Sequence, residues 1–469
     1  MSRSPLVLAL AFALLPCAVH AEDLLQTYEL ARAGDPQFSA AESNRLVVKE
    51  GRVQARSLLL PHLDGTAGYS KSWSDSTGTQ VFGTTPLASD GSNDSTTKNW
   101  AVNLNQMVYD HSNITRLRSA NALSEASDYN LESASDALIT RTSAAYFNVL
   151  VQLENLAAAE ASETALKKQF DFASKRLEVG LAPITDVHEA RAQYDTARAN
   201  TITAKNLVED AYQALAEITG RPVANLKGLP EDFQPQLPEH ADEEAWVKMA
   251  FDNNPALRAK ELQVKAAEED VGTARAGHYP TLYLGGRYGS TKTDGTSTDN
   301  LETNPALRAQ DFENQNDSKS IGVTLSVPIF AGGATQSGVR QALATRDIRT
   351  DELEQQKRNL ERTTRNAYQT VVAGVSEVEA RRLAVVSAKA AYEASQVGLE
   401  VGTRTVLDVL VNQRNLFQSQ QAYALARYNF LQSVLNLEAA AGTLDVEDVQ
   451  KVNRLLTINV SAEVQQPTQ

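Results

Sequence analysis

Two periodicities alternate along the chain. Short stretches place apolar residues at every second position, and long stretches place them every three or four. From 63 to 73, Leu63, Ala67, Tyr69 and Trp73 share one face. From 99 to 109, Trp100, Val102, Leu104 and Val108 do the same, with Asn103 and Asn105 opposite. The pattern returns later: Leu282, Leu284 and Tyr288, then Ile321, Val323, Leu325, Val327 and Ile329, with Ser320, Thr324 and Ser326 on the other face. Period two marks strands that meet two different environments. Each stretch is about ten residues, the length of a tilted membrane-spanning strand. The strands of each pair are joined by polar segments, 74–98 and 293–318, expected to be loops unusually long for a compact domain.

Most of the remainder reads as helix. From Asn113 to Val179 there is neither Pro nor Gly, which at 1.5 Å per residue predicts a helix of about 100 Å. Leu166, Phe170, Ala173 and Leu177 step by four, three and four, as coiled-coil seams do. The chain is also duplicated. An offset drifting only from 219 to 222 carries Gly34-Asp35-Pro36 onto Asn253-Asn254-Pro255, Leu104–Tyr109 onto Leu325–Phe330, Ala145-Tyr146 onto Ala367-Tyr368 and Glu178-Val179-Gly180 onto Glu400-Val401-Gly402. Ile184-x-Asp186-Val187 falls on Val406-x-Asp408-Val409, and Gly220 on Gly442. The seam residues Val149, Leu153, Leu156, Phe170 and Leu177 match Val371, Val375, Val378, Tyr392 and Leu399.

The predicted division is a cleaved signal peptide (1–21), a first repeat (22–220), a linker (221–245), a second repeat (246–442) and a C-terminal tail (443–469). The first repeat reads as helix, β-hairpin at about 63–109, long helix 111–179, turn and helix 185–219. The second reads as helix, hairpin at about 281–330, long helix 334–401, turn and helix 405–441. Two hairpins supply four strands. A four-stranded sheet in lipid would leave open edges, so several chains must share one barrel, with the long helical hairpins packed side by side into a tube.

Composition sharpens this reading. Arg3, the apolar run Leu6–Leu15 and Val19-His20-Ala21 form an export signal with cleavage after Ala21. Cleavage removes one Arg and no acid, so the formal charge moves from −14 to −15, which disfavours nucleic acid as a partner. The single Cys, Cys17, lies in that peptide behind Pro16, a poor context for lipid attachment. The mature chain then has no cysteine for disulfides or zinc. No nucleotide-binding loop and no H-E-x-x-H motif is present, and His188-Glu189 is an isolated pair on a helix. No catalytic set, metal or cofactor is expected.

The strings Arg56-Ser57-Leu58-Leu59-Leu60-Pro61, Ala145–Leu150, Val179–Val187, Ala190–Asp195, Val401–Val409 and Ala426-Arg427-Tyr428-Asn429 resemble the TolC family of outer membrane efflux proteins across nearly all of 22–455. The resemblance implies a mainly α fold with membrane β, in which four strands per chain contribute to a trimeric 12-stranded outer-membrane β-barrel joined to a long periplasmic α-helical barrel. It implies a homotrimeric exit duct in a Gram-negative outer membrane, in contact with outer-membrane lipid. Drugs, toxic small molecules or secreted proteins would leave through it. The implied partners are a periplasmic adaptor (membrane fusion protein) and an inner-membrane transporter of the resistance-nodulation-division, ABC or major facilitator type.

The resemblance also assigns candidate residues. The turns at Gly180 and Gly402 match the family's closed entrance, where Thr185, Asp186 and Arg404 match positions whose hydrogen bonds and ion pair hold it shut. Asp408 matches a constriction aspartate. Read from chemistry alone, Thr185 and Thr405 are also candidate N-caps, and Thr405-x-x-Asp408 resembles a capping box. Two departures stand out: Val411 replaces a second aspartate, and Leu399 replaces a tyrosine three residues before the turn glycine. They halve the acidic ring and remove one link of the clasp. Trp73 and Trp100 are expected as membrane-interface anchors. The alternatives are a periplasmic coiled-coil scaffold or adaptor without a pore, and a hydrolase hidden in the repeat. The alternating strands oppose the first and the missing catalytic set opposes the second.

Overall fold

A computed structural model describes residues 23–181, 183–230, 232–237, 242–301 and 309–459. The predicted signal peptide with Arg3, Cys17 and Ala21, part of the second polar segment and the end of the tail lie outside the described residues. The helices are α1 (Leu24–Gly34), α2 (Pro36–Ser57), α3 (His111–Glu178), α4 (Ile184–Thr219), α5 (Glu243–Asn253), α6 (Pro255–Arg275), α7 (Ala334–Glu400), α8 (Val406–Ala441) and α9 (Val446–Leu455). The strands are β1 (His62–Phe82), β2 (Thr85–Tyr109), β3 (Lys227–Gly228), β4 (Thr281–Leu301), β5 (Gln310–Ser326) and β6 (Ile458–Asn459). Two compact units result. One holds Leu46–Ser127 and Lys260–Glu352, and the other holds the rest.

The first unit is built on a four-stranded antiparallel sheet in the order β1-β2-β4-β5. The two hairpins thus pair with one another through β2 and β4, in register from Ser89↔Leu301 to Met107↔Tyr283, with a bulge before Tyr109↔Leu282. The strands differ from the expected ten residues. They run for 21, 25, 21 and 17 residues, and the segment 74–98 is strand apart from a two-residue turn at Gly83-Thr84. Polar side chains continue the alternation there without an apolar face to reveal it. The second strand of the later hairpin ends at Ser326, short of the expected 330. At the strand–helix junction Asp110 accepts from the Ser112 backbone N–H at 2.9 Å and from the Tyr283 hydroxyl at 2.7 Å, which fixes the start of α3 against β4.

In the second unit, the region before each hairpin holds two helices where one was expected. Asp35 and Asn254 cap α2 and α6, accepting from Phe38 N at 2.9 Å and Leu257 N at 3.1 Å, and Pro36 and Pro255 stand at the first helical position. The aligned triplets of the two repeats are these elbows. The core gathers Leu24, Tyr28, Tyr146, Phe147, Leu150, Tyr428, Leu435 and Leu437. Several predicted seam residues, Val149, Leu153, Leu156, Val371 and Val378, are buried in it.

The linker and the tail are also more structured than expected. β3 in the linker pairs with β6 in the tail. Tyr146 Oη donates to Lys227 O and accepts from Lys227 N, both at 2.9 Å. Tyr428 Oη accepts from Leu229 N and donates to Glu154, and Arg427 reaches both Glu154 oxygens and Pro230 O. The linker segment 227–230 thus forms a strap whose backbone is satisfied by Tyr146, Tyr428 and Arg427, the last 6% exposed and ion-paired with Glu154.

Where α9 packs near the end of α8, Glu438 lies beside a cavity of about 300 Å³ lined by Phe233, Phe430, Val434 and Leu455. Its Oε2 is buried without a hydrogen-bond partner among the described residues. Burial first, and then the Asp448 charge, push this carboxyl up to about 7. The folded state therefore holds a proton that the unfolded chain, titrating near 4.5, has released. That stabilisation is complete below pH about 4.5 and lost as pH rises to about 7. Glu438→Gln is expected to stabilise this unit by about 2–3 kcal/mol at pH 8 and hardly at pH 4. Denaturant unfolding at the two pH values checks this, and equal gains at both would refute it.

Candidate functional site

The two helix turns share one construction. After α3, Gly180 N donates to Leu177 O at 2.9 Å and Leu181 N to Arg176 O at 2.7 Å. After α7, Gly402 N donates to Leu399 O at 3.2 Å and Thr403 N to Gly398 O at 2.8 Å. Both are Schellman closures, which require a left-handed residue. Gly180 and Gly402 supply it, with φ of 75° and 79°.

The segments that follow differ. α4 begins after Pro183, which offers no side-chain cap, so Thr185 stands inside the first turn and not at its N-cap. Its hydroxyl lies 3.5 Å from Asp186 Oδ1. α8 begins with a complete capping box. Asp408 N donates to Thr405 Oγ1 at 3.2 Å and Thr405 N to Asp408 Oδ2 at 2.9 Å, and the Thr405 hydroxyl reaches the same oxygen at 2.8 Å. The Thr405 backbone bond first, then its hydroxyl, hold the Asp408 carboxyl below the usual range, with the Arg404 charge adding to this. The Arg404 stem lies across Gly398, where a β-carbon would meet its Cγ at 2.6 Å. Among the described residues of a single chain, Arg404 and Asp186 form no ion pair. Arg404 and Thr185 are exposed. Leu399 packs against a buried cluster of Leu166, Ala197, Val406 and Leu410. Val411 is 37% exposed. His188 is exposed on α4, and no group of three metal-ligating side chains occurs among the described residues.

The sheet presents two chemically distinct faces. The register puts Leu63, Leu104, Gly286 and Ile321 in one row and Gly65, Val102, Tyr288 and Lys319 in the next. This face holds the apolar band. The opposite face is polar: Asn103 donates to Asp64 at 2.8 Å and accepts from Arg287 at 3.3 Å, a chain across three strands. Trp100 and Trp73 both lie on the apolar-band face, 45% and 66% exposed. Trp100 meets Tyr288 edge-on at 5.3 Å. Trp73 pairs with Asp94, six residues along β2 from Trp100, or about 20 Å further toward the hairpin turn. The two tryptophans therefore stand at different levels.

The chain matches the family described as Outer membrane efflux protein over residues 27–221 and 246–443. It is 33% identical over 454 residues to the outer membrane protein TolC of Vibrio cholerae serotype O1, covering 97% of this chain and 98% of that protein. It is 28% identical over 431 residues to the alkaline protease secretion protein AprF of Pseudomonas aeruginosa, covering 92% and 86%. Among solved structures, the Campylobacter jejuni CmeC outer membrane channel superposes with a TM-score of 0.71 at 18% identity, covering 93% of this chain and 90% of that one. The outer membrane protein VceC of Vibrio cholerae superposes with a TM-score of 0.69 at 19% identity, covering 89% and 96%.

At both turns only φ constrains the glycine, because a β-carbon would meet nothing within 4 Å. Gly402→Ala is expected to cost about 1–2 kcal/mol through left-handed strain. Faster hydrogen exchange of the amides at 399–403, with the rest of α7 unchanged, is the expected signature. Unaltered exchange would show that the closure does not depend on glycine.

Proposed function

The chain belongs to the outer membrane efflux protein family, a family of channels, and we propose that it acts as a homotrimeric exit duct gated at its two helix turns. It resides in the outer membrane, extends into the periplasm and serves the export of drugs and secreted proteins. The observation that carries oligomerisation is the sheet: one apolar face, one polar face, and β1 and β5 as its two edges; the number three comes from the family resemblance. Lipid tolerates no unpaired edge, and four strands are too few to close around a lumen. Three copies joined edge to edge through β1 and β5 close a barrel of twelve.

The gate reading rests on the chemistry of the turns. Arg404 and Thr185 are exposed at tips stiffened by Schellman closures, free to meet the tips of neighbouring copies. An Arg fork on the Asp186 carboxylate is directional and reversible, as a clasp must be. Three Asp408 side chains around an axis make a ring that attracts cations. With no nucleotide-binding loop in the sequence, energy comes from elsewhere: a periplasmic adaptor and an inner-membrane transporter of the resistance-nodulation-division, ABC or major facilitator type complete the path. Relatives named for efflux pumps and for protease secretion support both classes of cargo.

Planar-bilayer recording tests this. Discrete conductance is expected, and its absence with protein confirmed inserted would sink the pore. Arg404→Ser should raise mean conductance about fivefold, the effect of losing an exposed pair worth about 1 kcal/mol. Unchanged conductance would remove Arg404 from the clasp. Asp408→Asn keeps an acceptor for the Thr405 cap but loses the charge, so it should weaken block by multivalent cations. Equal block would remove Asp408 from the constriction.

A further inference from the structure

Beyond the apolar band, the outward face of the sheet changes in a regular way. On β1 the next residue on that face after Tyr69 is Lys71. On β2 Trp100 is followed by Lys98, and on β5 Ile321 is followed by Lys319. On β4 Tyr288 is followed by Ser290 and then Lys292. These are all the lysines of the four long strands, one per strand, and every one lies on the lipid-facing parity. The one arginine of these strands, Arg287, lies on the opposite face.

The register assembles them into a belt. Lys98 stands directly opposite Lys292 on one side and Tyr69 on the other, and Lys319 stands opposite Tyr288. Two like charges directly opposed destabilise a sheet. Lys292 is partly compensated by Glu313 and by Asp294 at 3.7 Å. Asp317 and Asp94 share the face, and Asp75, Asp90 and Asp311 lie farther out on it, but Lys71, Lys98 and Lys319 reach no carboxylate within salt-bridge distance among the described residues. The Lys319 ammonium lies 5.2 Å from the Tyr288 ring centre, and that of Lys71 lies 5.1 Å from Trp73. Such stems lie along apolar surface and present their charge at its border.

The belt has a defined side. The strand ends at His62, Tyr109 and Thr281 lead to helices, whereas Gly83-Thr84 closes the far end. With the helices in the periplasm, the far end faces outward and the belt meets the headgroups of the outer leaflet. We propose that Lys71, Lys98, Lys292 and Lys319 form a binding site for the phosphate groups of the outer leaflet's anionic glycolipid, whose acyl chains lie on the apolar band below. This rests on the outer-membrane placement of the sheet and not on the gate.

The test uses the full chain in mild detergent with lipopolysaccharide as probe, and the same lipid with its phosphates removed as control. Native mass spectrometry reads the bound lipid. Lys98→Gln/Lys319→Gln is expected to bind the phosphorylated lipid about thirtyfold more weakly, and Lys98→Arg/Lys319→Arg to bind as the parent does. Retention by the Gln variant equal to the parent's would overturn the site, as would equal binding of the dephosphorylated lipid. Conductance of the Gln variant in a neutral phosphatidylcholine bilayer should match the parent, which separates lost lipid binding from lost folding. If neither protein conducts yet the lipid difference holds, the duct reading fails and the belt stands.

Discussion

The hydrogen-bond accounting of one sheet governs this molecule. β1-β2-β4-β5 satisfies its backbone internally at three interfaces and leaves a row of donors and acceptors along each outer edge. In water such edges can be solvated. In a bilayer they cannot, so in the proposed trimer further copies cover the edges, and the alternating faces meet lipid on one side and the lumen on the other. Band residues such as Val102 and Ile321 face lipid, while Asp64, Asn103 and Arg287 face the other way and satisfy one another. Duplication suits this arrangement: one hairpin per repeat is too little sheet, but two hairpins joined through β2 and β4 make a segment that copies can extend.

The sequence carries much of this, because alternation over an apolar band and Pro/Gly-free helices are local signals. Ile321 to Leu325 and Asn113 to Glu178 could be read without a partner in view, although the alternation overran the strand end at Ser326. The strand extensions could not. Between Ser74 and Lys98 the alternation persists, but both faces are polar, so periodicity has nothing to contrast. The elbow at Asp35-Pro36 was visible as a repeated landmark, yet its meaning as a capped helix start depends on Asp35 accepting from Phe38. The strap over the core was invisible for a different reason. Tyr146, Glu154, Arg427 and Tyr428 are distant in sequence and meet only when α3 and α8 pack. Tyr146, Arg427 and Tyr428 left a trace in the family-like strings, and Tyr146 in the repeat alignment, but Glu154 left none.

At the helix turns the duplication is faithful in backbone and unequal in chemistry. Both closures use the same two hydrogen bonds and the same glycine. Yet the first continues into Pro183 without a cap, and the second into Arg404, Thr405 and Asp408. A turn that had only to reverse the chain would not need this difference. The charged, capped version appears once per chain, so in the proposed trimer it would recur at every second tip. The replacement at Leu399 fits the same division. That position is occupied by packing against Leu166 and Val406, so the proposed clasp would draw on fewer polar residues.

Asp408 shows how tightly structure and charge are joined there. Its carboxylate closes the capping box of α8, and that bond is strongest when the group is ionised, which is why its proton affinity falls. A ring of three would act in the opposite direction, each charge raising its neighbours' affinity for protons. The cap therefore does more than start a helix. It biases the group toward the charged form that a cation-attracting ring requires, and it holds the carboxylate at a fixed height on α8. Val411, one turn further in, cannot share that load. In the proposed ring this leaves a single acidic level, its charge sustained by the helix start on which it sits.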